Sequence, residues 1–114
     1  MSVMDIFPSE LRLIVPPLHL QEGVSDPTVY LKFYSPDSTW AWYVTEGSPE
    51  DDDFIFFGFV IGLEEEWGDF SLSELTETRD ALGRPVQRDL HFEPGRFSRI
   101  IARQHRSAGG MELR

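Results

Sequence analysis

Residues 29–46, VYLKFYSPDSTWAWYVTE, decide the expected fold, because they form two strand-like runs joined by a turn. The first run, 29–34, alternates apolar with mixed side chains, which is the two-residue repeat of a half-buried strand. Ser35 and Pro36 suit the first two positions of a type I turn, where the fixed φ of proline is accommodated. The returning run, 39–46, is rich in aromatic and β-branched residues. We predict an antiparallel hairpin.

Two tryptophans lie two positions apart in the returning run, so they must share a face of the strand. As core residues, Trp40 and Trp42 would each bury on the order of 200 Å². The alternative is an aromatic platform for a base, a sugar or a partner chain. In that interpretation Trp40 is a candidate binding residue.

A net charge of −10 on 114 residues excludes some partners and permits others. Duplex DNA and anionic lipid are both polyanions, so we expect no unaided binding to duplex DNA and no membrane association. Basic protein partners are permitted. The apolar content of 40% is typical of one folded domain at this length.

Cysteine is absent, which removes disulfides, thiol nucleophiles and cysteine zinc sites, and fits a reducing compartment. The longest apolar run, 54–63, is about half of the ~20 residues that a membrane helix needs. The N-terminal stretch lacks the basic and apolar segments of a secretory signal. We therefore expect a cytoplasmic protein.

Charge divides the chain unevenly. Residues 1–78 hold 16 acidic and 2 basic side chains, a charge of −14, whereas residues 79–114 hold 4 acidic and 8 basic ones, a charge of +4. We predict one domain over residues 1–96, followed by a basic C-terminal tail over residues 97–114 that is partly helical or disordered.

The best-specified helix follows a capping box. Ser71 and Glu74 have the residue types and spacing of that motif. Gly83 stands where a left-handed C-cap belongs, so the helix is predicted over residues 72–82. A short helix is also expected after Pro8. With the hairpin and the strand-like runs, this predicts an α+β fold: an antiparallel sheet of four or five strands, one main helix packed on it and a short N-terminal helix.

Residues 84–92 read as an extended segment, which would place Asp89, His91 and Glu93 on one face. Such positions spread over about 13 Å and do not converge on one ion unaided, so we predict no metal site and no cofactor. With Glu46 of the hairpin, Asp89 and His91 are the candidate catalytic residues.

Two cations, Lys32 and Arg88, are candidate binding residues for an anion. They lie in the same two segments as Glu46 and His91. We therefore expect Lys32 and Glu46 to be one polar half of a single site, and Arg88, Asp89 and His91 to be the other. In that case Lys32, Glu46, Arg88 and His91 should surround one pocket. The chain carries no nucleophile elbow and no Gly-rich phosphate loop, so enzymatic activity stays undecided.

Several stretches together resemble an uncharacterised bacterial domain-of-unknown-function family common on plasmids, phages and integrative elements. They are KFYSPDSTWAWYVTE, FFGFVIGLE, GDFSLSEL and LGRPVQRDLHFEP. The resemblance runs from PSELR near the N-terminus to about Pro94 and leaves the tail outside. It implies a stand-alone bacterial or mobile-element protein and carries over no catalytic residue.

Three hypotheses follow. The leading one is a small acidic accessory protein that acts by binding another protein, in one version as an inhibitor of a host defence or DNA-processing protein. The alternative is a small hydrolase or nucleic-acid-processing enzyme with a site around Glu46, Asp89 and His91. The third is a homodimer formed through residues 54–63.

Overall fold

The computed structural model describes residues 4–112, with side chains up to residue 106. Seven strands, two α-helices and one 3-10 helix follow one another along these residues. In chain order they are the 3-10 helix Ser9–Leu13, β1 Thr28–Val29, β2 Leu31–Tyr34, β3 Ala41–Glu50, β4 Asp53–Ile61, β5 Glu65–Ser71, α1 Leu72–Glu77, β6 Gln87–Arg88, β7 Gly95–Arg96 and α2 Phe97–Glu112.

The central element is a five-stranded antiparallel sheet in the order β5-β4-β3-β2-β6. The predicted hairpin is confirmed as β2 and β3, in which Phe33 lies opposite Trp42. Its turn closes through the N–H of Ser38, which donates to the carbonyl of Ser35 at 3.2 Å. The short strands β1 and β7 form a separate two-stranded sheet. The predicted α+β class and sheet are therefore confirmed.

Each face of the sheet covers its own hydrophobic cluster. The first face presents Trp42, Val44 and Phe56, packed against the N-terminal segment and Leu75 of α1. The second face presents Tyr43 and Phe59, packed against α2. The two sets alternate along β3 because successive strand side chains point to opposite sides.

Trp40, just before β3, and Trp42, within it, do share a face, and their ring centroids are 5.8 Å apart. Trp42 is buried in the first-face cluster, as expected of a core residue. Trp40 is 38% exposed and its ring lies directly over Gly62. A side chain at Gly62 would collide with that ring, so glycine allows Trp40 to lie flat.

The predicted helix over residues 72–82 is wrong in length. The capping box of Ser71 and Glu74 is present, but α1 ends at Glu77. The next residues form a turn in which the carboxylate of Asp80 accepts the N–H groups of Leu82 and Arg84, each at 2.9 Å. Short polar side chains compete with helical hydrogen bonds in this way. Gly83 has the expected left-handed φ of +80°, but it serves this turn.

Two other predicted elements differ in form. The N-terminal element after Pro8 is a 3-10 helix rather than an α-helix. The extended segment predicted over residues 84–92 contains only β6, because the chain turns at Asp89. There the N–H of His91 donates to the Asp89 carboxylate at 2.9 Å and that of Phe92 to the Asp89 carbonyl at 3.3 Å.

Helix α2 begins at Phe97 and continues to Glu112, the last residue described. Its first turns close the second face, where Ile100 is buried and the ring of Phe97 lies 4.9 Å from that of Phe59. The division of the chain after residue 96 stays a prediction, although the start of the predicted tail packs against the sheet. No helix among the described residues is long and apolar enough to cross a membrane.

Candidate functional site

The placement of Glu46 depends on an irregularity in β3. The pairing with β4 shifts between Val44, which lies opposite Gly58, and Glu46, which lies opposite Phe57. One extra residue in a strand reverses the side on which the following side chains point. Glu46 therefore lies on the second face, whereas regular alternation would have placed it with Trp42 and Val44 on the first.

Glu46 is 5% exposed, and its carboxylate holds the segment 18–27 against the sheet. One carboxylate oxygen accepts the N–H of His19 at 3.0 Å, and the other accepts the N–H of Gln21 at 2.6 Å. His19 has a left-handed backbone at this contact, with φ of 76°. A buried carboxylate that accepts two backbone hydrogen bonds is satisfied as an anchor.

Gln21 completes the attachment of this segment. Its side-chain amide donates to the carbonyls of Thr28 and Thr45, both at 2.9 Å, and its side-chain oxygen accepts the N–H of Thr28 at 2.7 Å. At the far end, the carboxylate of Asp26 accepts the hydroxyl of Ser98 at 2.7 Å. This hydrogen bond, followed by the one from the Ser98 N–H, lowers the pKa of Asp26. The polar segment is therefore tied at both ends.

The anchored segment forms one wall of a cleft of about 510 Å³, which we call the loop cleft. Its floor includes Glu46 and Phe57, and its opposite wall is formed by Trp67 and Asp69 of β5. The rings of Phe57 and Trp67 are stacked, with centroids 5.9 Å apart and 14° between their planes. Glu22 adds a third carboxylate to the lining. The described lining includes no lysine and no arginine.

A second recess, which we call the Lys32 pocket, has a volume of about 250 Å³. It lies on the same face of the sheet, between the turn after β6 and α2, and presents side chains of both charges. Its lining consists of Lys32, Tyr43, Asp89, His91, Phe92, Glu93, Ile100, Arg103 and Gln104.

Tyr43 is the buried centre of the Lys32 pocket. Its hydroxyl donates to the side-chain oxygen of Gln104 at 2.9 Å, and the ammonium of Lys32 lies 5.4 Å from the centre of its ring. Burial, followed by the negative charges of Asp89 and Glu65, raises the pKa of Tyr43 to about 12. The phenol therefore stays protonated near neutral pH and acts as a hydrogen-bond donor, not as a base.

Arg88 lies outside both recesses. It pairs with Phe33, whose side chain belongs to the first face, so its side chain lies on the opposite side of the sheet from Lys32. Its backbone N–H donates to the sulfur of Met4 at 3.4 Å. Within the described residues, its buried Nε has no hydrogen-bond partner.

The structure thus brings together only part of the expected single site. Lys32, Asp89 and His91 line one pocket, but Glu46 lines another and Arg88 lies on the other face. The expectation that Lys32, Glu46, Arg88 and His91 surround one pocket is wrong, because the bulge in β3 and the register of β6 direct two of them elsewhere. Among the described side chains, no group of three or more acidic or histidine residues is arranged to hold a metal ion.

Sequence reasoning overlooked the residues that shape the loop cleft: Gln21, Trp67 and Asp69. A signal was present in residues 65–69, EEWGD, which are polar on both faces in a strand. Such a pattern is typical of an exposed edge strand. The anchoring role of Gln21 had no local signal, because its partners are distant in sequence.

This geometry defines a class of protein: an α+β protein whose antiparallel sheet carries two recesses on its second face. A family model matches residues 12–112, so the chain belongs to the family described as protein of unknown function, DUF2958. The match includes residues 97–112, which the resemblance noted in the sequence had left outside.

One partial likeness to a curated protein accompanies the family match. Over 66 residues, 58% of this chain, the sequence is 32% identical to a methionine–tRNA ligase of Caulobacter sp. (strain K31). The chain spans about a tenth of the length of that relative, since the match covers 10% of it. No solved structure matches the chain.

Proposed function

We propose that the chain is a small acidic accessory protein that acts by binding a basic segment of another protein in the loop cleft. Bacterial or mobile-element origin is part of the proposal, and the partial likeness to a Caulobacter protein is compatible with it. One version of the function is an inhibitor that occupies the basic nucleic-acid site of a host defence or DNA-processing protein.

The lining of the loop cleft carries the proposal. It combines the carboxylates of Glu22 and Asp69 with the indole of Trp67, a residue that is 40% exposed. An arginine or lysine side chain has an apolar stem and a cationic end, so it can lie along an indole while pairing with a carboxylate. The net charge of −10 adds long-range attraction for basic partners.

The alternative, a small hydrolase or nucleic-acid-processing enzyme, loses one of its three residues in this geometry. Glu46 lies in the loop cleft and its two oxygens already accept backbone N–H groups. Asp89 and His91 remain together in the Lys32 pocket, but there the Asp89 carboxylate accepts the backbone N–H of His91 rather than its imidazole. An acid–base pair needs the carboxylate to orient the ring, so the binding function is favoured.

Peptide selection tests the proposal. The intact chain is immobilised and presented with a display library of random peptides. We expect the retained peptides to be enriched in arginine and lysine, and the enrichment to weaken at high salt because exposed charges are screened. A retained pool without basic enrichment would contradict the proposal.

A matched pair of variants locates the site in that experiment. Glu22→Gln combined with Asp69→Asn removes two charges at the cleft, whereas Asp51→Asn combined with Asp52→Asn removes two from the exposed β3–β4 turn. Only the first pair should abolish the basic enrichment. Equal loss in both would assign the selection to net charge rather than to the cleft.

A further inference from the structure

We infer that β5 is a docking strand, and that the bound partner segment is extended and joins the sheet along its free edge. The inference rests on the proposed function, because it specifies how the basic segment binds at the loop cleft. In this mode the backbone of β5 supplies hydrogen bonds, while alternate side chains of the partner decide specificity.

Among the strands that the structure describes, β5 lies at one end of the five-stranded sheet and pairs with β4 alone. Ser71, the last residue of β5, shows which residues of the strand direct their backbone groups away from β4. Its N–H donates to the carboxylate of Glu74 at 2.8 Å and therefore points away from β4. In an antiparallel pair, every second residue directs both N–H and C=O away from its partner strand. Trp67 and Asp69 consequently direct their backbone groups outward.

The neighbouring strand gives an independent check on this alternation. Phe57 lies opposite Asp69, and its carbonyl accepts the hydroxyl of Thr45 on β3. The backbone groups of Phe57 therefore face β3 and not β5. Outside the strand ladders, the hydrogen bonds of the described residues include none from the N–H or to the C=O of Trp67 or Asp69. This edge offers unpaired donors and acceptors.

The side chains along this edge indicate what joins it. Trp67 and Asp69 point to the second face and line the loop cleft, so partner residues beside them meet an indole and a carboxylate. On the first face, a Cβ at Gly68 would meet nothing within 4 Å. Gly68 borders a recess of about 250 Å³ whose lining is mixed, with Trp42 and Leu75 beside the acidic residues Glu66, Asp69 and Glu74. The geometry fits a strand with basic residues toward the second face, and the open space beside Gly68 leaves room for an aliphatic side chain on the first.

Charge complementarity selects such a partner over a second copy of this chain. If two copies of β5 paired antiparallel with their Trp67 residues opposite each other, Glu65 of each copy would lie opposite Asp69 of the other. Like charges directly opposite each other destabilise strand pairs. Acidic side chains on a free edge therefore discourage self-association while permitting a basic strand. β4, the strand expected in a homodimer, already has both of its edges paired.

Amide hydrogen exchange on the intact wild-type chain tests the inference, with an octapeptide of alternating arginine and valine as the probe. We expect the amides of Trp67 and Asp69 to exchange at least tenfold more slowly at saturating peptide, because they become donors in a ladder. The amide of Asp52, in the exposed β3–β4 turn, serves as the internal control and should not change.

Two modified peptides make the test specific for strand addition. N-methylation of all arginines, or of all valines, removes one alternate set of backbone donors. We expect one modified peptide to lose binding at least tenfold and the other to retain it, because only one set faces β5. In an antiparallel arrangement the arginine set is the sensitive one, since residues opposite Trp67 share its face.

The outcomes separate this inference from the proposed function. Binding without protection of Trp67 and Asp69, or equal loss with both modified peptides, would overturn strand addition and leave binding at the cleft intact. Absence of any binding at millimolar peptide would overturn both. Protection of the Trp67 and Asp69 amides, together with loss of binding by only one modified peptide, supports both strand addition and the proposed function.

Discussion

The carboxylate of Glu46 accepts the backbone N–H of Gln21 at 2.6 Å, so a residue of the central hairpin holds the loop that forms a wall of the cleft. The two residues are 25 positions apart. The side chain predicted as a catalytic candidate therefore holds this loop against the sheet. Whatever binds in the loop cleft depends on this contact for the shape of its site.

Replacement of Glu46 by glutamine should loosen that wall. The amide offers one acceptor where the carboxylate offers two, so the N–H of either His19 or Gln21 loses its partner, at a cost of about 1–3 kcal/mol. Urea denaturation would show the lower stability, and amide exchange at both residues should accelerate. Glu50→Gln, an exposed change in the same strand, should alter neither; an equal effect there would argue against the anchor.

Two glycines that face each other across β4 and β5 should respond oppositely to alanine. A Cβ at Gly58 would lie 1.8 Å from the carbonyl oxygen of Tyr43, whereas one at Gly68 would meet nothing within 4 Å. Gly58→Ala must displace the backbone next to the bulge, so we expect a loss of about 3 kcal/mol. Gly68→Ala should change the free energy of unfolding by less than about 0.5 kcal/mol. Similar values from denaturation would refute the close approach of β3 and β4.

Acid should weaken the junction between β4 and α1. The hydroxyl of Ser73 donates to the carboxylate of Asp53 at 2.6 Å, and this bond, with the N–H of Phe54, lowers the pKa of Asp53 below 3.8. A lowered folded-state pKa contributes stability above the unfolded pKa, and that stability is lost as pH falls through the folded value. Stability measured between about pH 5 and pH 3 should therefore fall less steeply in Asp53→Asn than in wild type.

Replacement of Ser73, whose hydroxyl is the donor at the junction between β4 and α1, gives a second variant. Ser73→Ala removes the hydroxyl that contributes most to the lowered pKa of Asp53, so it should flatten the same pH dependence in part. A wild-type slope in Asp53→Asn would show that the junction does not contribute to acid sensitivity.

The start of α2 should be required for a stable sheet. Ile100 is 7% exposed within the second-face cluster, so Ile100→Ala should lower the free energy of unfolding by about 2–4 kcal/mol. Ala102→Ser, at an exposed position two residues further along α2 and on the opposite side of the helix, should cost much less. Near-equal denaturation curves for the two variants would support the predicted boundary at residue 96, with an independent tail beyond it.

Local signals predicted the parts of the fold that depend on neighbouring residues. The hairpin of β2 and β3 and the capping box of Ser71 are both confirmed, since turn chemistry and caps act within a few positions. The predicted length of α1 was wrong because the Asp80 carboxylate accepts backbone N–H groups that a longer helix would have bonded internally. The hydrophobic periodicity of the sequence does not reveal a side chain that competes for these N–H groups.

The candidate site was harder to predict for a different reason. Lys32 and His91 do line one pocket, because β2 pairs with β6 and the chain then turns back. Glu46 lies elsewhere, since a bulge changes the face of every following side chain and has no clear mark in the sequence. The loop cleft joins Asp69 to a segment more than 40 positions earlier, a contact that only tertiary packing decides.

Charge reversal at the loop cleft tests whether the cleft binds basic segments. Calorimetric titration of the arginine–valine octapeptide would compare wild type with Asp69→Lys and with Glu77→Lys, a control with the same change in net charge on α1, outside the cleft lining. We expect Asp69→Lys to weaken binding at least tenfold, about 1.4 kcal/mol, and Glu77→Lys to weaken it less than about threefold. Equal weakening by both variants, or none by Asp69→Lys, would contradict a binding site for basic segments at this cleft.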